Sequence, residues 1–436
     1  MKIKYILSFT LFTLLTLLTL LLAPLPAQAE IYKFEIKGPI ESITEEYVVD
    51  CFRTIKNAGN AKLALIEMDT PGGFDTSMRT IIKEILDAPV PVAVYVSPKG
   101  ARAASAGFFI TISADIAAMS PGTSMGAASP VSVTGSDIED TMKKKVTNDA
   151  ASYAKSIAKN RRRNVELAEK AVSESKSYSA EECLEKNLIE YIAADLDDLL
   201  EQLNGKEIVA VNGKKIILKT AGEKIITLAM SPRQKFLKTI TNPNLAYFLL
   251  IFGLLGLYLE FTHPGAIIPG VIGGICLLLA FLAFQVLPIN YIGLLLILLS
   301  IGFFIAEIKL PGFGVFGLGG VISFVLGSIM LISSPVPEMR PTMSIIIVFA
   351  TCFALVFLFL TYKVYKAMKR KTETGQEGLI GEVGTARTAV TPVSGKVFVH
   401  GEWWNAVSDY EIPAGSRVRI ESLENFVLKV SLVSKA

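Results

Sequence analysis

The scarcity of histidine limits what this sequence can do chemically. The chain holds two, His263 and His400, and neither lies between residue 30 and about 200. A Ser-His-Asp triad and a histidine-based zinc site are thereby excluded from that stretch. Nucleophilic catalysis there needs a different base, and lysine is the known alternative. Two glycine-containing segments fit such a site. Asp69-Thr70-Pro71-Gly72-Gly73 follows a buried-type strand, and its glycines let backbone N–H groups turn toward a substrate oxygen, as an oxyanion hole requires. Gly100-Ala101-Arg102-Ala103-Ala104-Ser105-Ala106-Gly107 follows a second apolar run. Small neighbours on both sides of Ser105 leave room for a substrate carbonyl, and a helix opening there would aim its N-terminal dipole at a developing oxyanion. Ser113, Ser120, Ser124 and Ser129 compete by type, but none has this setting.

These segments need a scaffold, and residues 30–204 supply an α/β pattern. Short apolar runs at 62–68, 92–96 and 116–119 alternate with helical patterns at 44–58, 76–86 and 146–158. That alternation predicts parallel strands joined by crossover helices. Residues 205–241 change character: positions 207–218 alternate around Asn212-Gly213, a two-residue hairpin signal. This segment is expected to be a small β appendage and linker.

The rest of the chain is dominated by the membrane. Mean hydropathy is +0.48 and 51% of residues are apolar, high for a soluble protein, while a net charge of +3 predicts no nucleic-acid partner. Residues 1–29 read as a signal peptide. Lys2 and Lys4 precede an apolar stretch, and Pro24 and Pro26 break it before Ala27-Gln28-Ala29, with cleavage expected ahead of Glu30. A retained anchor is the alternative, and either one exports the α/β domain behind it. Five spans are expected within 242–364, near 245–261, 266–285, 291–308, 314–333 and 343–362. Lys363, Lys366, Lys369, Arg370 and Lys371 come directly after the last span, which makes that end and the 365–376 linker cytoplasmic. An odd number of spans then places the N-terminal domain outside the cell (inner) membrane.

An internal repeat at a constant offset of 47 aligns Glu260, Pro264, Gly265, Gly270 and Gly273 with Glu307, Pro311, Gly312, Gly317 and Gly320. It reads as a duplicated hairpin whose glycines allow close helix packing. Glu260 and Glu307 could instead bind something, because carboxylates in a membrane are costly. Cys51 and Cys183 could pair in an exported domain. Residues 377–436 suggest a small five-stranded barrel. Six Lys/Arg against seven Asp/Glu from Glu377 onward leave it no basic footprint, so it reads as a protein-interaction or structural module. Trp403 and Trp404 are expected in its core.

The DTPGG and AASAG segments, with Met119-Ser120-Pro121-Gly122-Thr123-Ser124-Met125-Gly126-Ala127, resemble the ClpP and signal-peptide-peptidase group of serine proteases. The whole chain resembles the long form of the NfeD family, the stomatin operon partner proteins. The likeness extends to the repeated Glu-x3-Pro-Gly and to Gly401-Glu402-Trp403-Trp404-Asn405-Ala406. The resemblance implies a crotonase/ClpP-like α/β protease domain, a multi-span helical membrane domain and an OB-like barrel. It also implies a Ser-Lys dyad, here Ser105 and Lys145. Lys145 precedes Val146-Thr147-Asn148, with Lys143 and Lys144 as neighbouring alternatives. Lys155, in Tyr153-Ala154-Lys155-Ser156, is better read as a solvated surface charge. Gly72, Gly73 and the Ala106 amide match the oxyanion region. A lysine works as a base only where burial lowers its pKa from about 10.4, so Lys145 is expected to be enclosed in the assembled site. The expected function is a membrane-bound serine endopeptidase that cleaves apolar segments of membrane-associated proteins, without metal or cofactor. A stomatin- or flotillin-like partner and a homo-oligomer are expected with it. The alternative is a non-catalytic membrane scaffold working with such partners.

Overall fold

The computed structural model describes residues 30–132, 140–209, 215–310, 314–334, 336–368 and 376–433. The signal segment, the Asn212-Gly213 turn, Pro311, Gly312 and the basic run 369–371 lie outside these.

The first part runs β1 (Glu30–Lys37), α1 (Ser42–Ala58), β2 (Ala61–Asp69), α2 (Asp75–Leu86), β3 (Val92–Val96), β4 (Arg102–Ala104) and α3 (Ala106–Ser113). It continues through β5 (Ile116–Met119), β6 (Ser124–Gly126), α4 (Asp140–Asn160), α5 (Val165–Ser173), β7 (Ser177–Ser179), α6 (Ala180–Glu185), β8 (Tyr191–Ile192) and α7 (Leu196–Leu203). Then come β9 (Glu207–Val209), β10 (Lys215–Ile217) and β11 (Lys224–Thr227). Six strands form one sheet in the order β11-β1-β2-β3-β5-β8, and every pair is parallel.

A parallel sheet must be covered on both faces, and the sequence provides for that. All five residues of β3 are buried. On one face α1 buries Tyr47, Val48, Cys51, Phe52 and Ile55, with Phe34 edge-on to Tyr47 and Phe52. On the other face Leu199, Leu200 and Leu203 of α7 close over Ile31, Leu63, Leu65 and Tyr95.

Residues 205–241 depart from the expected appendage. β9 and β10 pair antiparallel, but β11 joins the main sheet beside β1, Glu30 opposite Lys224. The strand is short and half-buried, so its membership depends on a long-range partner that local alternation does not reveal. Cys51 and Cys183 are buried as separate free thiols, each pushed up to about 12 by burial.

Helix α8 (Pro232–Ile240) leads into α9 (Pro243–Thr262), α10 (Ile268–Phe284), α11 (Tyr291–Lys309), α12 (Val315–Leu331) and α13 (Met343–Met368). Pro243–Thr262 and Met343–Lys363 are long and apolar enough to cross a bilayer; the helices between them are shorter and equally apolar. The repeat is two packed hairpins, α9 on α10 and α11 on α12. A Cβ on Gly256 would stand 2.8 Å from Gly273 Cα, and one on Gly327 would stand 2.8 Å from Gly293 O, so the backbones touch. Both repeat glutamates sit at the start of the next helix. The Glu307 carboxylate accepts the Gly317 N–H at 3.1 Å, and Glu260 packs on Gly270, its equivalent. The Glu307 carboxylate thus caps the positive end of a helix dipole, which gives it a structural use, whereas Glu260 Oε2 is buried without a hydrogen-bond partner among the described residues.

Beyond α13, α14 (Gln376–Leu379) precedes β12 (Val383–Ala386), β13 (Lys396–Val399), β14 (Glu402–Val407), β15 (Arg417–Glu424) and β16 (Val427–Leu432), which close a barrel in the order β12-β13-β14-β16-β15. Only one tryptophan meets the expectation. Trp404 packs on the barrel core, whereas Trp403 is 62% exposed and lies on the outer face edge-on to Phe398. Neighbouring strand residues point to opposite faces, so two adjacent tryptophans cannot both be core.

Candidate active site

Three layers of chain are stitched together at the carboxyl ends of β1 and β2. Thr70 N–H donates to Arg102 O at 2.7 Å and Ala104 N–H to Thr70 O at 3.1 Å, which joins the DTPGG loop to β4. On the other side Ile40 N–H donates to Gly72 O (2.9 Å) and Phe74 N–H to Ile40 O (2.8 Å). This parallel bridge turns the Gly73 N–H away from Ile40. The Gly72 N–H is taken by Thr70 Oγ1 at 3.1 Å. Gly72 serves by having no side chain: at φ +112° its Cβ would lie 2.6 Å from Ser105 Cβ and 3.1 Å from Oγ. A Cβ on Gly73 would stand 2.0 Å from Ile40 O.

Ser105 sits where β4 ends and α3 begins, with φ 50° and ψ −114°. That region is unfavourable for a residue with a Cβ and costs on the order of 1–3 kcal/mol. The conformation is held by a bond from Ser105 N–H to Gly126 O (2.9 Å) and by close packing of Gly107 on Thr70. Ser105 therefore stands on a sharp strand-to-helix turn with the first N–H groups of α3 beside it. All eight residues of α3 are buried, so its far end cannot use water. Arginines serve instead: Arg163 donates to Ile112 O (2.7 Å) and Ala114 O (3.0 Å), and Arg161 to Ser113 O (2.6 Å). Glu190 and Asp115 pair with them. Cations at the carboxyl end reinforce the dipole whose positive end meets Ser105. Sequence reading missed these arginines; Arg161-Arg162-Arg163 reads as an ordinary basic run at a helix end.

Three rival serines are occupied elsewhere. Ser113 Oγ donates to Ile110 O, Ser120 Oγ to Ala194 O and Ser129 Oγ to Val172 O. Ser124 lies in β6 with its N–H on Ala101 O. Lys155 is tied to Glu169 at 3.0 Å on the surface.

Lys143, Lys144 and Lys145 occupy the first turns of α4, and all three are exposed in the single chain. The enclosure expected for Lys145 is thus not supplied by one chain. Among the three, Lys145 stands four and eight residues before Asp149 and Tyr153, on one helix stripe. Asp149 pairs with Arg79 at 2.7 Å, and Tyr153 stacks on Phe109 with the Arg79 guanidinium 4.6 Å from its ring centre. Arg79 also holds Asp75, two residues beyond Gly73, and Phe109 is one turn beyond Ser105. A cavity of about 530 Å³ at the carboxyl ends of β1–β3 has Asp69 and Lys99 in its wall but not Ser105, Gly72 or Lys145.

The strap from Lys37 to Glu41 that carries Ile40 is itself gripped from behind. Glu41 is 7% exposed, accepts from Thr241 Oγ1 at 3.4 Å, and faces Lys238, whose Nζ donates to Lys37 O at 2.9 Å. Burial raises the Glu41 carboxyl from 4.5 to about 7 against the pull of Lys238, and burial likewise lowers the Lys238 amine. A folded carboxyl with a raised pKa holds its proton longer than the unfolded chain does, so stability falls as pH rises from 4.5 through about 7. Glu41→Gln is therefore expected to stabilise the full chain by roughly 3 kcal/mol at pH 8 and hardly at pH 4.5. Thermal unfolding in detergent at the two pH values checks this.

Comparison with known proteins bears on the whole assembly. Residues 30–211 match the NfeD1b N-terminal domain, 244–363 the NfeD integral membrane domain, and 376–431 the NfeD-like C-terminal, partner-binding domain. A membrane-bound protease of Pyrococcus horikoshii is 39% identical over 313 residues, which cover 71% of this chain and 70% of the relative. The chain belongs to the NfeD family. It is a long-form member and a membrane protein, with a ClpP-like protease-type domain, apolar membrane helices and an OB-like barrel. The NfeD1b membrane protein of Bacillus subtilis is 28% identical over 69% of this NfeD chain and 68% of its own length. Among solved structures, a membrane-bound stomatin-specific protease, a lysine-to-alanine mutant in complex with a substrate peptide, is 35% identical. It covers 49% of this chain and 99% of its own, with a TM-score of 0.45.

Proposed function

We propose that this NfeD-family chain is a membrane-bound serine endopeptidase working through a Ser105–Lys145 dyad. One observation carries the reading: Ser105 is held at positive φ on a strand-to-helix turn, pressed against a glycine that leaves its Oγ open. Ser105 Oγ attacks a peptide carbonyl while Lys145 Nζ accepts its proton. The oxyanion that forms is received by the Gly73 and Ala106 N–H groups, with Gly72 as the cleared wall. Collapse expels the amine, which takes the proton from lysine. Water then attacks the acyl-serine as lysine again removes the proton, and the serine hydroxyl is restored. The P. horikoshii relative, a membrane-bound protease, supports peptidase chemistry.

The lysine must be neutral to act, so the exposed Lys145 becomes enclosed by a second copy or by bound substrate. Alanine at Lys145 is expected to lower peptide hydrolysis about 10³-fold or more, while Lys143→Ala and Lys144→Ala change it less than about threefold. Full activity in Lys145→Ala would sink the dyad.

In this reading the chain crosses the membrane five times, with the α/β domain outside the cytoplasm and the barrel inside. Bonds at one level of the helices support this. Thr342 N–H meets Asn244 Oδ1 (2.8 Å) and Asn290 N–H meets Leu331 O (2.8 Å), so α9 and α13 begin at one level and α11 begins where α12 ends. Substrates are apolar segments of membrane-associated proteins. A stomatin- or flotillin-like protein is the expected partner of the barrel.

A further inference from the structure

The two loops that build the site are each gripped by a segment that flanks the membrane helices. The strap Lys37–Glu41 lies between the oxyanion loop and the end of α8. On its inner side Ile40 holds Gly72 O and Phe74 N–H; on its outer side Lys238 and Thr241 hold Lys37 O and Glu41. Thr241 is 4% exposed and stands two residues before the first membrane helix. The second grip is on the nucleophile strand. Arg102, three residues before Ser105, pairs with Glu338 in the short turn ahead of the last membrane helix. The two grips join each other, because Asn244 at the start of α9 binds Thr342 at the start of α13.

We infer that Glu338 and Thr241 are positioning residues of the catalytic centre, through which the membrane domain sets the oxyanion loop and the Ser105 strand against each other. This rests on Ser105 being a nucleophile and adds to it a part for the membrane domain. The Arg102–Glu338 pair is about half exposed on each side, so it adds little to stability. Its value is geometric. Thr70 stitches the two loops directly, and a movement of about 1 Å between nucleophile and oxyanion donors costs on the order of a hundredfold in rate.

The test uses the full chain in detergent and a fluorophosphonate probe, with the labelling rate of Ser105 measured beside thermal unfolding. Glu338→Gln and Thr241→Val are each expected to slow labelling about tenfold while unfolding shifts by only a few degrees. Exchanging the pair, Arg102→Glu with Glu338→Arg, is expected to restore most of the rate. Labelling at the wild-type rate in both single variants overturns the inference, and so does a lowered unfolding temperature with an unchanged rate. A wild-type chain that takes no label at all fails the nucleophile reading, and the positioning role falls with it.

Discussion

Replacing Ser105 is expected to separate activity from stability. Ser105→Ala should abolish acyl-enzyme formation and lower peptide hydrolysis by roughly 10³–10⁶-fold, while its unfolding stays close to that of the wild type. The fold is spared because the side chain makes no packing contact that alanine loses: Oγ stands in the space that Gly72 leaves open. Ser105→Gly should be equally inactive but more stable, by about 1 kcal/mol, because glycine adopts φ 50° without a Cβ penalty. The comparison decides between two uses of this turn. A scaffold that kept the fold without the chemistry would gain nothing from a strained serine, and both variants would leave its cellular role intact. A peptidase stores the strain to present the nucleophile, and both variants would then be null. Labelling, peptide hydrolysis and unfolding of the three proteins, measured side by side, make the distinction. A Ser105→Ala chain that still hydrolyses peptide at the wild-type rate would overturn the assignment.

How much of this was legible beforehand depended on how local the physics was. Buried parallel strands such as β3 announce themselves as short apolar runs, and the apolar helices α9 to α13 as long ones. The small residues around Ser105 are a local signal but a common one, and the resemblance of the AASAG segment was needed to single that serine out. β11 could not be read locally, since four residues, only two of them half-buried, join a sheet only through β1, nearly two hundred positions away. The choice among Lys143, Lys144 and Lys145 was equally closed to composition. What favours Lys145 is the stripe it shares with Asp149 and Tyr153, whose partners Arg79 and Phe109 come from other helices. The repeat was visible as spacing, yet the use of Glu307 as a cap on Gly317 needed the hairpin to be folded.

The arginine end of α3 carries the largest expected stability effect. Arg163 is 1% exposed at its side chain and makes four bonds: two to Glu190 (2.6 and 2.8 Å) and two to the carbonyls that close the helix. Arg163→Met is expected to cost about 3–5 kcal/mol, because it strands a partly buried carboxylate and two buried carbonyls at once. Arg163→Lys should recover only part of this, since an ammonium cannot reproduce the fork that spans the carboxylate and the helix end. Replacing both partners, Arg163→Met with Glu190→Gln, should be milder than the single change, because the stranded charge is gone. Denaturation of the full chain in detergent orders these variants. The order also reaches the chemistry. α3 is a single buried two-turn rod with Ser105 at one end and Arg163 at the other, so loosening its carboxyl end frees Ser105 to move. Arg163→Lys, though folded, should therefore label with fluorophosphonate more slowly than wild type. A wild-type labelling rate there would mean that the turn at Ser105, stitched to Gly126 and Thr70, holds the serine without help from the helix behind it.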